Sequence, residues 1–256
     1  MNKILLGAAA IAFAICAALP VQADDFSGWY VGVTGGQASG TTSATTTTTF
    51  SPTGYFATSS VPAIDFVGNQ HVGSDGGTYG AQLGYNWQSA NGVVFGIEGD
   101  YSSMNLSGSQ SGTGVYPCCA PTSFTITQSV STRSLSSIRA RLGFTSGHTL
   151  AYATAGYAQT TFKYNTLFTD TFAPAIETNA QSATRTGLIW GGGAEAKLAP
   201  KISFKMEYLH ANFGSISGTS TNLTAFNPAI PFPTNVFTHT ASLNTDIIRG
   251  GFNFKF

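Results

Sequence analysis

Charged side chains recur at every second position in several short stretches of this chain. That spacing brings them to one face of a β-strand, because successive strand side chains point to opposite faces. Paired carboxylates can exchange protons with a substrate, whereas carboxylates that meet guanidinium or ammonium groups form ion pairs. The residues with this spacing are Glu98, Asp100, Arg139, Arg141, Glu195, Lys197, Lys205, Glu207, Arg249 and Lys255.

The histidines are the other candidates for acid–base or metal chemistry: His71, His148, His210 and His239. Covalent catalysis needs a nucleophile, a base and an orienting group within hydrogen-bond reach. Only His210 falls on a predicted strand, and the four histidines show no metal-ligand spacing. We therefore predict no catalytic residue, no cofactor site and no metal site, and we expect that the protein is not an enzyme.

Two cysteines, Cys118 and Cys119, are adjacent in a predicted loop. Adjacent Cα atoms lie about 3.8 Å apart, closer than the roughly 4.4–6.8 Å of ordinary disulfides. A vicinal disulfide that staples the loop, an intermolecular bridge and a pair of free thiols all remain open. We expect no redox function.

Eight alternating stretches supply the elements that carry these side chains. In the second stretch, for example, Tyr79, Leu83 and Trp87 share one face and Gln82 and Asn86 the other. The predicted strands are 28–36, 78–88, 93–104, 132–145, 149–162, 184–198, 202–213 and 241–256.

The connections between these stretches alternate in length. Those after the first, third, fifth and seventh stretches are long, and the others are tight turns. Structureless loops of more than about 15 residues are uncommon inside compact domains. Alternation places all the long ones at one end of the sheet, as in outer-membrane barrels with short periplasmic turns and long extracellular loops.

Composition separates a membrane barrel from its alternatives. Charged residues make up 9% of the 256 residues, where about 25% is usual for soluble domains. No stretch after residue 20 approaches the roughly 20 apolar residues of a spanning helix. The same alternation also fits a soluble β-sandwich or a lipocalin, because sequence parity does not distinguish inside from outside. Low charge and loop asymmetry favour the barrel.

The N-terminus predicts export. Lys3 precedes an apolar run that ends at Pro20, and Ala23 precedes the expected cleavage point. Residues 1–23 are predicted to be a cleaved signal peptide, and residues 24–256 one outer-membrane β-barrel. Acylation of Cys16 is the alternative, but Ile15 stands where a lipoprotein signal has a small residue.

The last stretch, RGGFNFKF, ends the sequence at Phe256. A closed barrel pairs its last strand with its first, because an open edge in hydrocarbon leaves backbone groups unsatisfied. We expect this stretch to close the ring, and Phe256 to join Trp29 and Trp87 in an interfacial aromatic belt. The ten charged residues named above would then face one narrow lumen as an ion-pair network, since unpaired charges there are costly.

Several of these stretches resemble one protein family. FSGWYVGVTGG, YGAQLGYNWQ, SIRARLGF, WGGGAEAKLAPKISFKMEYLHANFG and IIRGGFNFKF are similar to strand motifs of small alphaproteobacterial outer-membrane proteins, the Omp25/Omp31-like outer membrane immunogenic protein group of the porin-family or OmpA-like barrels. The resemblance implies a Gram-negative outer-membrane location and a role as surface antigen. It also implies that the terminal aromatic is part of the signature read by the barrel-assembly machinery.

The expected fold is therefore all-β, an eight-stranded antiparallel transmembrane β-barrel. The expected function is structural and surface-presenting, with loops that bind an unidentified host or surface ligand or merely shield the cell. A narrow pore for small solutes is the alternative, although eight strands leave a lumen that side chains can fill. A lipid-modifying enzyme is more remote, since Asn212 replaces the serine of the His-x-Ser pattern of barrel lipid A deacylases. The expected partners are outer-membrane lipids and the assembly machinery, with no nucleic acid.

Overall fold

The computed structural model describes residues 25–256, which form one large antiparallel sheet rolled into a ring. The predicted signal peptide lies outside the described residues. The elements are β1 Gly28–Thr48, α1 Ser60–Val67, β2 Asn69–Gln88, β3 Val93–Val115, β4 Ser123–Ser146, β5 Thr149–Asp170, β6 Ile176–Ala199, β7 Ile202–Ser220, β8 Thr224–Ala225, β9 Ile230–Pro231 and β10 Phe237–Lys255.

Eight long strands close the ring in the order β5-β4-β3-β2-β1-β10-β7-β6, and β5 pairs with β6. The first and last strands pair from Tyr30 opposite Lys255 to Thr48 opposite Phe237. β8 and β9 are two-residue strands in the connection between β7 and β10. The predicted eight-stranded antiparallel barrel is confirmed.

The two ends of the ring differ. At the turn end, β2 joins β3, β4 joins β5 and β6 joins β7 through residues 89–92, 147–148 and 200–201. At the loop end, the connections are residues 49–68, which include α1, 116–122, 171–175 and 221–236. In the described part of the chain, no helix is long and apolar enough to cross a membrane.

The strands extend further toward the loop end than the sequence predicts. β1, for example, continues to Thr48 instead of ending near residue 36, and β3 continues to Val115 instead of ending near residue 104. The reason is that the Thr- and Ser-rich segments keep the period of two: Thr42, Thr46 and Thr48 are buried, and their neighbours are more exposed. Much of what was predicted as loop is therefore strand.

Only the turn-end half of the ring has an apolar outer surface. Strands of 19–24 residues are about twice the 9–11 residues that cross a bilayer. Tyr79, Tyr101, Tyr157 and Trp190 mark the upper edge of this exposed apolar band, and each is more than half exposed. Beyond them the outward positions are mainly Thr, Ser, Gly and Asn. The loop-end half therefore stands outside the hydrocarbon.

Outside the band, the ring separates into two four-stranded sheets. The β2–β3 ladder ends at Asp75 opposite Ser107, although both strands continue. The β6–β7 ladder ends at Leu188 opposite Asn212, and these strands also continue. The loop-end half is therefore built from β7-β10-β1-β2 and β3-β4-β5-β6, facing each other across a shared core.

Gly84 in β2 leaves space for the buried side chain of Tyr30. An ideal Cβ at Gly84 would lie 2.3 Å from both Cζ and Oη of Tyr30, so any side chain there displaces the ring. Tyr30 is 4% exposed, and its hydroxyl donates to Glu98 Oε2 at 2.8 Å. Gly77, on the outward face of the same strand, meets no atom within 4 Å.

We expect Gly84→Val to destabilise the barrel and Gly77→Val to be nearly neutral. Overpacking in a filled interior costs about 1–3 kcal/mol, and here it also displaces the tyrosine hydroxyl from Glu98. The measurement is the denaturant midpoint of the refolded protein, followed by the heat-dependent gel shift of folded barrels. Equal midpoints for the two variants would contradict the close packing of Tyr30 on Gly84.

Candidate functional site

A layer of charged side chains crosses the interior of the membrane-embedded half. We call it the charged layer. Every member is at most 7% exposed. The layer contains four acids and four bases: Glu98, Asp100, Glu195, Glu207, Arg139, Arg141, Lys205 and Arg249.

Glu98 is the centre of this layer. Its Oε1 accepts from the Arg139 guanidinium at 2.5 Å and from Lys205 Nζ at 3.1 Å. Its Oε2 accepts from Tyr30 and lies 3.4 Å from Arg141 Nη1. One carboxylate from β3 therefore joins cations of β4 and β7.

Glu207 and Arg249 form the second centre. Arg249 Nε donates to Glu207 Oε2 at 2.8 Å, and Arg249 Nη2 lies 2.8 Å from the same oxygen. Arg249 Nη1 lies 2.9 Å from Asp100 Oδ1, and Arg139 Nη1 lies 3.2 Å from Glu207 Oε1. The two centres are thus joined through Arg139.

Neutral side chains extend the layer to all eight ring strands. Arg141 Nη2 donates to Glu195 Oε2 at 2.9 Å, and Asn253 Nδ2 donates to Glu195 Oε1 at 2.9 Å. Gln82 of β2 donates to Asn253 Oδ1 at 2.5 Å. From β5, the Tyr152 ring stacks on Arg141, whose Cζ lies 3.9 Å from the ring centroid.

The layer is electrically balanced, with four carboxylates and four cations, and each charge has an opposite charge within 3.2 Å. Buried ions lose hydration, and that loss is offset only when the geometry and the additional hydrogen bonds are good. The arrangement fills the cross-section with paired charge. Each carboxylate of the layer is engaged by at least one of its cations.

Two of the ten predicted network residues lie elsewhere. Lys197 and Lys255 reach the turn-end rim, where both donate to the backbone carbonyl of Asp25, at 2.6 and 3.0 Å. Lys255 also pairs with the Asp25 carboxylate at 3.0 Å, in an exposed position. These two lysines are the inward-facing charges nearest the turn end. Water and the segment that precedes β1 can therefore reach them.

The three predicted belt residues are exposed on the outer surface at the turn end. Trp29 and Trp87 are each 50% exposed, and both contact Tyr85, with ring centroids 5.1 and 4.5 Å apart. Phe256 is 64% exposed, and its backbone N–H donates to the Trp29 carbonyl at 3.2 Å.

An apolar layer follows the charged layer toward the loop end. Its members include nine side chains that are at most 3% exposed: Met104, Leu106, Leu135, Phe162, Ile189, Leu209, Phe213, Leu243 and Ile247. Side chains from both sides of the ring meet here, so the interior is filled at this level as well. A passing ion would have to cross both layers.

A buried polar cluster lies above the apolar layer, around His239. Its Nδ1 lies 3.1 Å from Thr46 Oγ1 and 3.2 Å from Thr166 Oγ1, and its Nε2 lies 2.9 Å from Ser220 Oγ. Ser220 also donates to Glu177. The serine and the carboxylate are on the same side of the imidazole, which differs from a triad in which the carboxylate orients the far nitrogen.

An aromatic cap closes the loop end. Tyr55 and Tyr116 donate to the same oxygen of Asp170, at 2.6 and 2.9 Å. Burial, together with the charge and hydrogen bond of Asp170, raises the pKa of both tyrosines well above the usual value, so both hydroxyls stay protonated donors. Around them pack Phe56, Phe124, Phe168 and Phe237.

The adjacent cysteines are part of the rim of this cap. Cys118 and Cys119 are joined by a disulfide within the connection after β3. Cys119 packs against the apolar cluster of the cap, and Cys118 Sγ lies 3.6 Å from Ser60 Oγ at the start of α1. The disulfide is therefore a local link in the loop end.

Sequence reasoning missed the His239 cluster and the cap. Glu177, Ser220 and His239 all fall in segments that were predicted as loop, so no face was assigned to them. The available signal was the period of two, which continues through those segments with small polar residues. The aromatic residues of the cap come from four separate segments that the sequence predicts as loops, and only the folded ring brings them together.

Comparison with known proteins identifies related sequences and folds. A model of the family described as "Outer membrane protein beta-barrel domain" matches residues 8–256. The 31 kDa outer-membrane immunogenic proteins of Brucella melitensis and Brucella suis are each 27% identical over 240 residues, which covers 93% of this chain and 87% of theirs.

The solved structures that match this chain are more distant in sequence. The outer membrane protease OmpT of Escherichia coli is 11% identical, with a TM-score of 0.44, over 94% of this chain and 99% of its own. The outer membrane protein OprG of Pseudomonas aeruginosa is 10% identical, with a TM-score of 0.41, over 90% of this chain and 98% of its own.

We expect Arg139→Ala to destabilise the barrel by about 3–5 kcal/mol, because it leaves Glu98 and Glu207 buried with fewer opposite charges. The matched control is Arg133→Ala, which removes an exposed arginine from the same strand. The measurement is the equilibrium denaturation of the refolded protein in lipid. Similar midpoints for both variants would show that the charged layer adds little to stability.

Proposed function

Because this chain belongs to the outer membrane protein β-barrel family, we propose that it serves as a self-filled barrel that presents its loop-end half at the cell surface. The chain is an outer-membrane protein, and its ring is the scaffold. The observation that carries the proposal is the division of that ring into two halves. The turn-end half has an apolar outer band, and the loop-end half consists of two four-stranded sheets with a polar outer surface. A rigid tube beyond the membrane displays loops at a distance from the lipid.

The orientation follows from the wiring of barrels, with short turns in the periplasm and long connections outside. In this proposal residues 1–23 are a cleaved signal peptide and residues 24–256 the mature barrel. Trp29, Trp87 and Phe256 lie at the periplasmic interface, and the β10 strand that ends at Lys255 is the part that the barrel-assembly machinery receives. The Brucella relatives are named as immunogenic proteins, which supports exposure to a host.

The interior supports a closed rather than a conducting barrel. The charged layer, the apolar layer and the cap fill the cross-section at successive levels. Eight strands enclose just enough room for side chains, whereas open channels belong to barrels of about 16–18 strands. We therefore place function on the outer surface of the loop-end half.

We propose no catalytic role. The relatives are named for immunogenicity rather than for a reaction. His210, the histidine on a predicted strand, is 2.8 Å from Asp246 on the outer surface, and Tyr208 donates to the same carboxylate at 2.5 Å. Catalysis needs a nucleophile in reach of such a base, and Asn212 cannot provide one.

Surface presentation predicts a one-sided labelling pattern in intact cells. An epitope inserted after Pro228, in the connection between β7 and β10, should bind antibody without permeabilisation. The matched control is the same epitope inserted after Ala90, in the tight turn between β2 and β3, which should bind only after permeabilisation. The reverse pattern would overturn the proposed orientation.

A closed lumen predicts that the barrel has no steady ion conductance. The refolded protein in a planar bilayer should show no steady single-channel openings, because an ion would have to break the charged layer and enter the apolar layer. Recordings should use only preparations that show the heat-dependent gel shift, with a 16-stranded porin as the conducting control. Steady openings would make passage of small solutes the leading function.

A further inference from the structure

Two positively charged side chains are neighbours on the outer surface of the loop-end half. Arg133 is on β4, Lys163 is on β5, and both are exposed. Ser131 is opposite Lys163 in the β4–β5 ladder, so Arg133 is the diagonal neighbour of Lys163 on the same face. Diagonal neighbours in a sheet are about 7–8 Å apart, within reach of long side chains. One anionic group can therefore contact both cations.

The other arginines and lysines of the described chain lie elsewhere. Four are buried in the charged layer, and Arg185 is bound to the Ser215 carbonyl where β6 and β7 separate. Three are at the turn end: Lys197, Lys201 and Lys255. Above the apolar band, the arginine and lysine charge of the outer surface is therefore confined to the pair of Arg133 and Lys163.

The protein does not neutralise this pair. In the described part of the chain, neither side chain takes part in a hydrogen bond or an ion pair. The carboxylate in the same row as Lys163 is Asp75, three strands away through Ser131 and Ser107. At about 4.8 Å per strand the separation is roughly 14 Å, more than a Debye length at physiological ionic strength. Like charges side by side are destabilising, and a bound anion would remove that cost.

Irregular pairing on both sides of β4 surrounds Arg133. The ladder of β4 with β5 shifts between Thr132 and Leu135, and its ladder with β3 shifts between Ser103 and Leu106. A β-bulge redirects a side chain and is common beside functional sites. The regular sheet is thus interrupted at the residue that provides one of the two cations.

The pair stands above the aromatic edge of the apolar band. Tyr157 of that edge precedes Lys163 by six residues on β5 and is opposite Ile138 on β4. With a rise of about 3.3 Å per residue and a tilt of about 40°, Lys163 is about 15 Å above Tyr157, and Arg133 is about 10 Å above it. A phospholipid headgroup layer is only about 5–8 Å thick. The height therefore suits anionic groups that extend further from the hydrocarbon.

The outer leaflet of a Gram-negative outer membrane contains such groups. Its main lipid, lipopolysaccharide, carries phosphates and acidic sugars on a saccharide above the acyl chains. Guanidinium and ammonium groups are the usual ligands of phosphate and carboxylate. Below the pair, the outward side chains of β4 include Ile138, Leu142 and Phe144, all more than half exposed. One lipid molecule can therefore contact the apolar band and the cations together.

We propose that Arg133 and Lys163 bind the anionic saccharide of lipopolysaccharide in the membrane that carries the protein. The acyl chains lie on the apolar band, and a phosphate or carboxylate of the saccharide lies between the two cations. The proposal deepens the surface-presenting function and rests on its orientation, because the pair meets the outer leaflet only if the loop end is outside. The saccharide then covers the lower part of the protruding sheet, and the loops above it stay accessible.

The test is binding of purified rough lipopolysaccharide to the folded protein in a zwitterionic detergent, measured by native mass spectrometry. Arg133→Gln and Lys163→Gln should each weaken binding about fivefold, and the double variant about 25-fold. Lipopolysaccharide should also raise the denaturation midpoint of the wild type, because it binds the folded state, and raise that of the double variant less. Without lipopolysaccharide the midpoints should agree, since exposed substitutions have small effects on stability.

Lys201→Gln is the matched control, because Lys201 is an exposed lysine at the opposite end of the barrel. It should leave the affinity unchanged. Added salt should weaken binding by the wild type more steeply than binding by the double variant. Wild-type protein that binds no lipopolysaccharide, a double variant that binds as tightly as the wild type, or an equal loss in Lys201→Gln would overturn the proposal.

Two further probes distinguish the source of the anionic group. Phosphatidylglycerol carries a phosphate without a saccharide, and a heparin fragment carries sulfates on a saccharide from outside the membrane. Each should bind at least about tenfold more weakly than lipopolysaccharide, and equal or tighter binding of either would contradict the assignment. Epitope labelling in cells is a separate measurement, so failure of lipopolysaccharide binding leaves surface presentation standing. A reversed labelling pattern with binding intact would instead refute the orientation.

Discussion

The constraint on which the structure depends is that backbone N–H and C=O groups cannot remain unpaired in hydrocarbon. It requires β10 to return to β1, and it keeps every ladder complete across the apolar band. Ring closure then sets the interior volume, and eight strands leave space only for side chains. The charged layer follows from this, because inward-facing charged side chains that meet no water must pair with one another.

Beyond the band the same constraint is relaxed, and the architecture changes. Water can satisfy strand edges there, so the β2–β3 and β6–β7 ladders end while the strands continue. Side chains replace the ladder on one side: Glu177 binds Ser220, and Arg185 binds the Ser215 carbonyl. On the other side α1 fills part of the gap. The gap between β2 and β3 is thus a consequence of where the membrane ends.

The fold could be predicted from the sequence to a large extent, and the site only in part. The period of two assigned faces correctly wherever large apolar residues alternate with charges, as in β3 around Glu98 and β7 around Glu207. It failed where Thr and Ser fill both faces, so the loop-end halves of β1 and β3 were taken for loop. The partner of each charge is also not visible in the local sequence: Arg249 of β10 pairs with Asp100 of β3, three strands away in the ring, and strand tilt and register decide that pairing.

The position of Arg249 on the last strand has a consequence for assembly. The other seven members of the charged layer lie on β3, β4, β6 and β7, and without Arg249 they comprise four carboxylates and three cations. Neutrality of the layer and closure of the ring therefore depend on the same strand. A sheet that lacks β10 has an open edge and also one buried carboxylate without a matching cation. Assembly thus completes the charge balance of the interior only when β10 is paired.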